Sequence, residues 1–129
     1  MVDGAEPLYE QMAESISECV PEKWSVAKME AVFFDDSITY LGEYQRAADG
    51  VSRSFPTDIR GERAFRQLRQ LFKDAAKPLW GQACFEMQSD GKFRINFGYD
   101  DCDEDGNTRF DEERELRRAE ERRLRLTAE

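Results

Sequence analysis

The apolar positions of this chain change period several times, and each change marks a boundary. Leu8, Met12, Ile16 and Cys19, with Tyr9, Ala13 and Val20 beside them, recur at helical spacing. Glu10, Glu14 and Glu18 take the opposite face, Pro7 suits the first turn and Pro21 ends the run, so a helix is predicted over 6–19. From Trp24 the pattern turns strand-like. Trp24–Val26 and Met29–Phe34 read as strand segments, Asp35-Asp36-Ser37 as a turn, and Ile38–Tyr44 as the returning strand. Asp49-Gly50 marks another turn before a short edge strand over Val51–Phe55. Arg60–Ala76 restores the helical period, with Ala64, Phe65, Leu68, Leu71, Phe72 and Ala75 on one side and Arg63, Arg66, Arg69 and Lys73 mostly on the other. Gly81–Gln88 alternates, Ser89-Asp90-Gly91-Lys92 carries a hairpin signal, and Phe93, Ile95, Phe97 and Tyr99 alternate on the way back. A last, highly charged helix runs from Asp111 to about Leu126, its few apolar residues being Phe110, Leu116, Ala119, Leu124 and Leu126.

The order is therefore α-β-β-β-α-β-β-α. Consecutive strands joined by short turns imply an antiparallel sheet of about five strands, and the placement of the helices implies an α+β fold with helices mainly on one face. The 129 residues fit one domain over 1–129, with 110–129 as its charged C-terminal helix.

Charge changes the picture more than composition does. The formal charge is −9, and it is concentrated. Residues 1–22 carry six acids and no base; residues 100–113 carry eight acids against Arg109 alone. Like charge at that density repels itself, so its use is sought outside the fold, in a cation or a basic macromolecule. An acidic surface argues against direct binding to nucleic acid, whose phosphates need a positive footprint. The C-terminal arginines are interleaved with Glu115, Glu120 and Glu121, which favours pairs within the helix over a nucleic-acid arm. The acidic N-terminal stretch lacks the apolar core of a secretory leader, and no apolar run is long enough to span a bilayer. Cys19, Cys84 and Cys102 are an odd number at unrelated spacings, which reads as free thiols in a reducing compartment; Cys19 and Cys84 read as small core residues. No membrane partner and a cytoplasmic location are expected.

Candidate chemistry is sparse. The chain has no histidine, which removes the commonest general base and zinc ligand. The cysteines lack zinc-site spacing, and no P-loop, dinucleotide fingerprint or nucleophile elbow occurs. No catalytic residue and no cofactor are expected, and the chain reads as a non-enzyme. Trp24 and Trp80 read as core or rim aromatics. The acidic block allows two readings. Asp101, Asp103, Asp105, Asn107 and Glu112, with Gly106, stand at EF-hand loop spacing and could ligate calcium. Alternatively, Asp100, Asp101, Asp103, Glu104 and Asp105 form a contact surface for a basic protein, with Tyr99, Phe110 and Tyr44 as aromatic anchors.

Several stretches together resemble one family. Leu8-Tyr9-Glu10-Gln11-Met12-Ala13 leads to Val20-Pro21-Glu22-Lys23-Trp24; Leu71-Phe72 and Pro78-Leu79-Trp80 follow. Then comes Glu86-x-x-Ser89-Asp90-Gly91-Lys92-Phe93-x-Ile95-x-Phe97-x-Tyr99-Asp100. Over roughly residues 7–101 the chain resembles the YezG-like immunity (antitoxin) family of polymorphic toxin systems. That resemblance implies a small cytoplasmic α+β protein that binds and neutralises a cognate toxin domain, often a nuclease, with no catalytic residue of its own. A nucleic-acid-acting toxin needs a positive groove, so the acidic surface and the implied basic partner agree in sign. The Arg/Glu-rich segment after Glu113 departs from the family pattern.

Overall fold

The computed structural model describes residues 4–34, 37–99, 102–103, 106–108 and 112–127. Its elements are α1 (Glu6–Cys19), β1 (Trp24–Phe33), β2 (Ile38–Arg46), β3 (Ser52–Ser54), α2 (Ile59–Asp74), β4 (Gln82–Gln88), β5 (Phe93–Gly98) and α3 (Glu112–Thr127). The five strands form one antiparallel sheet in the order β3-β2-β1-β4-β5, the α+β arrangement expected from the sequence. β1 is the central strand. The two segments read over Trp24–Val26 and Met29–Phe34 are one strand, because Ala27 and Lys28 are paired on both sides, to Tyr44 and Glu43 and to Met87 and Glu86. Pairing overrides the weak strand preference of Ala and Lys.

Strand alternation sorts the sheet into two faces. Ala27, Met29, Ala31 and Phe33 of β1 point into the core with Phe85 and Met87 of β4. α1 and α2 cover this face. Met12, Ile16, Phe65, Leu68, Met29, Phe85 and Trp80 are all fully buried there. Each such side chain contributes about 1.5–3 kcal/mol by leaving water. Of the two readings left open for Trp80, core or rim, the structure has it in the core, with Phe97 and Phe33 rings at 5.0 and 5.6 Å. Cys19 packs against this core. Cys84 does not: it lies one residue out of phase with Ala83 and Phe85, on the opposite face, half-buried. Burial, then the nearby charge of Glu30, pushes its thiol up to about 11.

α3 crosses the second face. Glu115, Arg118, Ala119 and Arg122 close a cleft of about 400 Å³ against Lys28, Glu30, Val32, Leu41 and Glu43. The Arg122 guanidinium donates to the Gly42 carbonyl at 3.1 Å. Two of the three helices thus share one face and the third covers the other.

The α1–α2 pair is fixed at its start by Asp58. Its carboxylate caps α2 by accepting from Gly61 N–H at 3.3 Å, and accepts from the Ser15 hydroxyl of α1 at 2.6 Å and from the Arg60 Nε at 2.9 Å. The β4–β5 turn closes with Gln88 N–H to Lys92 O at 2.8 Å and Gly91 N–H to Gln88 O at 2.9 Å, with Gly91 at φ 92. The Asp-Gly signal marks the turn, and the glycine supplies its left-handed residue.

Candidate partner-binding surface

β5 ends at Gly98, and the acidic segment begins two residues later. Of the predicted contact residues, Tyr99 and Asp103 are described and both are exposed, Tyr99 at 48%. Asp100, Asp101, Glu104, Asp105 and Phe110 lie outside the described residues. Tyr44 is not an anchor. It is 3% exposed and packs on Phe55, and its hydroxyl donates to Glu22. Its position opposite Ala27 places it on the buried face of the sheet.

The described part of the segment is a closed turn. Cys102 and Thr108 form an antiparallel bridge. Asp103 N–H donates to Asn107 O at 2.9 Å, Gly106 N–H to Asp103 O at 3.0 Å, and Asn107 N–H to Asp103 Oδ1 at 2.9 Å. Gly106 stands at φ 77, where a side chain is strained. The turn is fastened to the body at three points. Thr108 N–H donates to Phe33 O at 2.7 Å, at the end of the central strand. Gly81 leaves room for it: a Cβ there would lie 2.3 Å from Thr108 Oγ1 and 2.5 Å from Cys102 Sγ. Arg69 supplies the third.

Arg69 departs from the solvated stripe that its helix periodicity predicts. Its guanidinium lies 4.6 Å from the centre of the Phe33 ring and donates from Nε to Trp80 O at 3.2 Å. Its Nη2 donates to Gly106 O and, at 3.1 Å, to Asn107 Oδ1. One planar cation therefore ties α2, the β4 entry and the acidic turn together. Nothing in the local pattern of α2 distinguishes Arg69 from Arg66; the signal would have been a polar turn far downstream needing a donor.

The same atoms bear on the calcium reading. Asp101 and Asp105 lie outside the described residues. Asn107 turns its side-chain oxygen to Arg69 and its carbonyl to Asp103 N–H. Among the described residues no group of three or more His, Cys, Asp or Glu is placed to hold a metal ion.

A row of acids stands on α1. Glu6, Glu10, Glu14 and Glu18 are all exposed, and among the described residues only Glu18 of these carries an ion pair, with Arg60. Among the described residues no helix is long and apolar enough to cross a membrane.

The segment from α2 through the hairpin and the pinned turn is what comparison recognises. Residues 61–116 match the family of YezG-like immunity proteins. The YezG-like match covers α2, β4, β5, the acidic segment and the first residues of α3. It bears out the resemblance carried by Leu71-Phe72, Pro78-Leu79-Trp80 and the Ser89 to Asp100 hairpin. The YezG-like family suggests an immunity role, and with it a toxin partner and a non-enzymatic inhibitor. None of the curated proteins matches the chain significantly.

Proposed function

We propose that this chain is a non-catalytic, cytoplasmic immunity protein of a polymorphic toxin system, acting as one domain over 1–129. It binds and neutralises a cognate secreted toxin domain, a nuclease or another nucleic-acid-modifying enzyme, through its acidic surface. The observation that carries this reading is the YezG-like match, which takes in the whole acidic segment 100–113. A toxin acting on nucleic acid presents cationic side chains to phosphate, and clustered carboxylates on a rigid base complement them. The pinning of residues 102–103 and 106–108 by Arg69, Phe33 and Gly81 supports such a base. Charge of this kind speeds encounter, while Tyr99 and Phe110 supply the apolar anchors that slow release.

The test is association with a cognate toxin domain, sought first in the product of the adjacent gene. Replacing Asp100, Asp101, Asp103, Glu104 and Asp105 with Asn or Gln should slow association about tenfold or more at low salt and flatten its salt dependence. An unchanged rate and salt slope would remove these residues from the mechanism.

A further inference from the structure

β5 is an edge strand, and its free side has the makings of a docking rail. Lys92 and Gly98 turn their carbonyls toward β4, where they accept from Gln88 N–H at 2.8 Å and Gly81 N–H at 3.0 Å. By antiparallel alternation Arg94 and Asn96 face β4 as well, so the main-chain groups of Phe93, Ile95 and Phe97 point away from the sheet. Among the described residues no strand pairs with them. The opposite edge of the sheet is different: β3 is three residues long and lies against α3. Short, covered or charged edges are the usual protection against strand pairing. Among the described residues β5 is neither short nor covered, and Lys92 and Arg94 are the charges along it.

The side chains along this edge state what would fit. Phe93 is 50% exposed, held at 5.6 Å from the Tyr9 ring of α1 and 5.2 Å from Phe85. Its neighbours on α1 are acidic: Glu6 lies one turn before Tyr9 and Glu10 directly after it, both exposed. A second copy of this chain paired along β5 would bring two α1 helices side by side, each with four glutamates and no base. Like charge opposes that pairing. The β5 edge carries cations of its own, Lys92 and Arg94, but they alternate with Phe93 and Ile95 and so lie on the other face of the sheet, where Arg94 pairs with Glu86 at 2.7 Å. An extended segment whose basic residues face α1 avoids them. Lysine or arginine at alternate positions would lay its stem on Phe93 and its head group against Glu6 and Glu10.

We infer that β5 accepts a strand from the toxin domain, an extended segment with basic residues at every second position, added to the sheet beside Phe93, Ile95 and Phe97. This rests on the immunity reading and names its binding mode. The sheet would become six-stranded, main-chain hydrogen bonds would give affinity, and the α1 glutamates would select charge.

Residue-resolved hydrogen exchange on the full chain, free and bound to a catalytically inactivated cognate toxin domain, tests this. The Phe93, Ile95 and Phe97 amides should exchange freely alone and slow about tenfold or more in the complex. Phe93→Pro removes an N–H that β4 does not use, so it spares the ladder; it should weaken binding about tenfold beyond Phe93→Ala, which keeps the N–H. A complex that leaves these three amides unprotected overturns strand addition while the immunity reading stands. Protection in the free protein that grows with its concentration shows a second copy on the edge and overturns it too. No complex with the wild-type chain overturns both.

Discussion

Arg69 and Asn107 stand 38 positions apart in the chain and share a hydrogen bond of 3.1 Å from guanidinium to side-chain oxygen. That contact, with the Gly106 and Trp80 carbonyls on the same cation, fixes Gly106 and Asn107 to α2 and to the entry of β4. Arg69→Ala should lower stability by roughly 2–3 kcal/mol, since it leaves acceptors short of a donor. In a thermal melt this is a fall of roughly 5–10 °C. Arg69→Lys should recover little, because an ammonium cannot span three acceptors while stacking on Phe33. A lysine variant as stable as wild type would reduce Arg69 to a surface charge.

Asp58 couples stability to acid pH. Burial opposes its charge, but donation from Ser15, from Arg60 and from Gly61 N–H, with the Arg60 charge, outweighs burial and lowers its pKa from 3.8 to about 2. A folded-state value below the unfolded one stabilises fully above the unfolded pKa and is lost as pH falls through the folded pKa. The window is therefore about pH 4 down to about pH 2. Partial exposure discounts the effect to about 1–2 kcal/mol. Urea titrations across that window should show wild type losing this increment and Asp58→Asn losing much less of it.

Gly61 is set by a side chain from the sheet. An added Cβ would lie 1.7 Å from the Tyr40 hydroxyl and 3.2 Å from Met29 Sδ. On an open helix Gly→Ala gains up to about 1 kcal/mol. Here Gly61→Ala should instead cost about 1–3 kcal/mol through overpacking. Tyr40→Phe removes the closest atom and should recover part of the loss in the double variant, a coupling that chemical denaturation of all four proteins measures.

Much of this architecture is legible in short-range pattern. The period of Leu8, Met12 and Ile16 between Pro7 and Pro21 marks α1 to the residue, and the Phe93–Ile95–Phe97 alternation after Asp90-Gly91 marks the hairpin. What escapes is whatever depends on a distant segment. Ala27 and Lys28 look too weak for a strand until neighbours pair on both sides. Tyr44 has the composition of an anchor and the register of a core residue. The acids of the candidate surface announce themselves by charge alone. The contacts that hold Cys102 and residues 106–108 are made by Gly81, Gly106 and Arg69, each ordinary in its own stretch. Phe93 carried the hairpin signal; its worth as an exposed edge residue depends on strand order, which periodicity does not encode.

Calcium should not bind at the 101–112 spacing. Asn107 commits its carbonyl to Asp103 N–H and its side-chain oxygen to Arg69, whose positive charge would stand beside the ion. Calorimetric titration should give no saturating heat. Heat that saturates at one site and disappears in Asp101→Ala would overturn this and restore the calcium reading.

Removal of residues 112–129 tests what α3 does for the fold. Among the described residues the buried apolar core runs from Ala5 to Met87, outside that helix. Leu116 and Leu124 are 65% and 55% exposed, and the helix reaches the sheet through polar groups such as Arg122 on Gly42. Val32 is the apolar residue with most to lose, since it lies under the helix at 5% exposure. The shortened chain should still unfold in one cooperative step, with about 1–2 kcal/mol less stability from the area uncovered. Its helical signal should drop while the near-ultraviolet signal of buried Trp80 persists. Loss of that tryptophan signal would mean that the second face depends on α3, and that the sheet is not held by its first face alone.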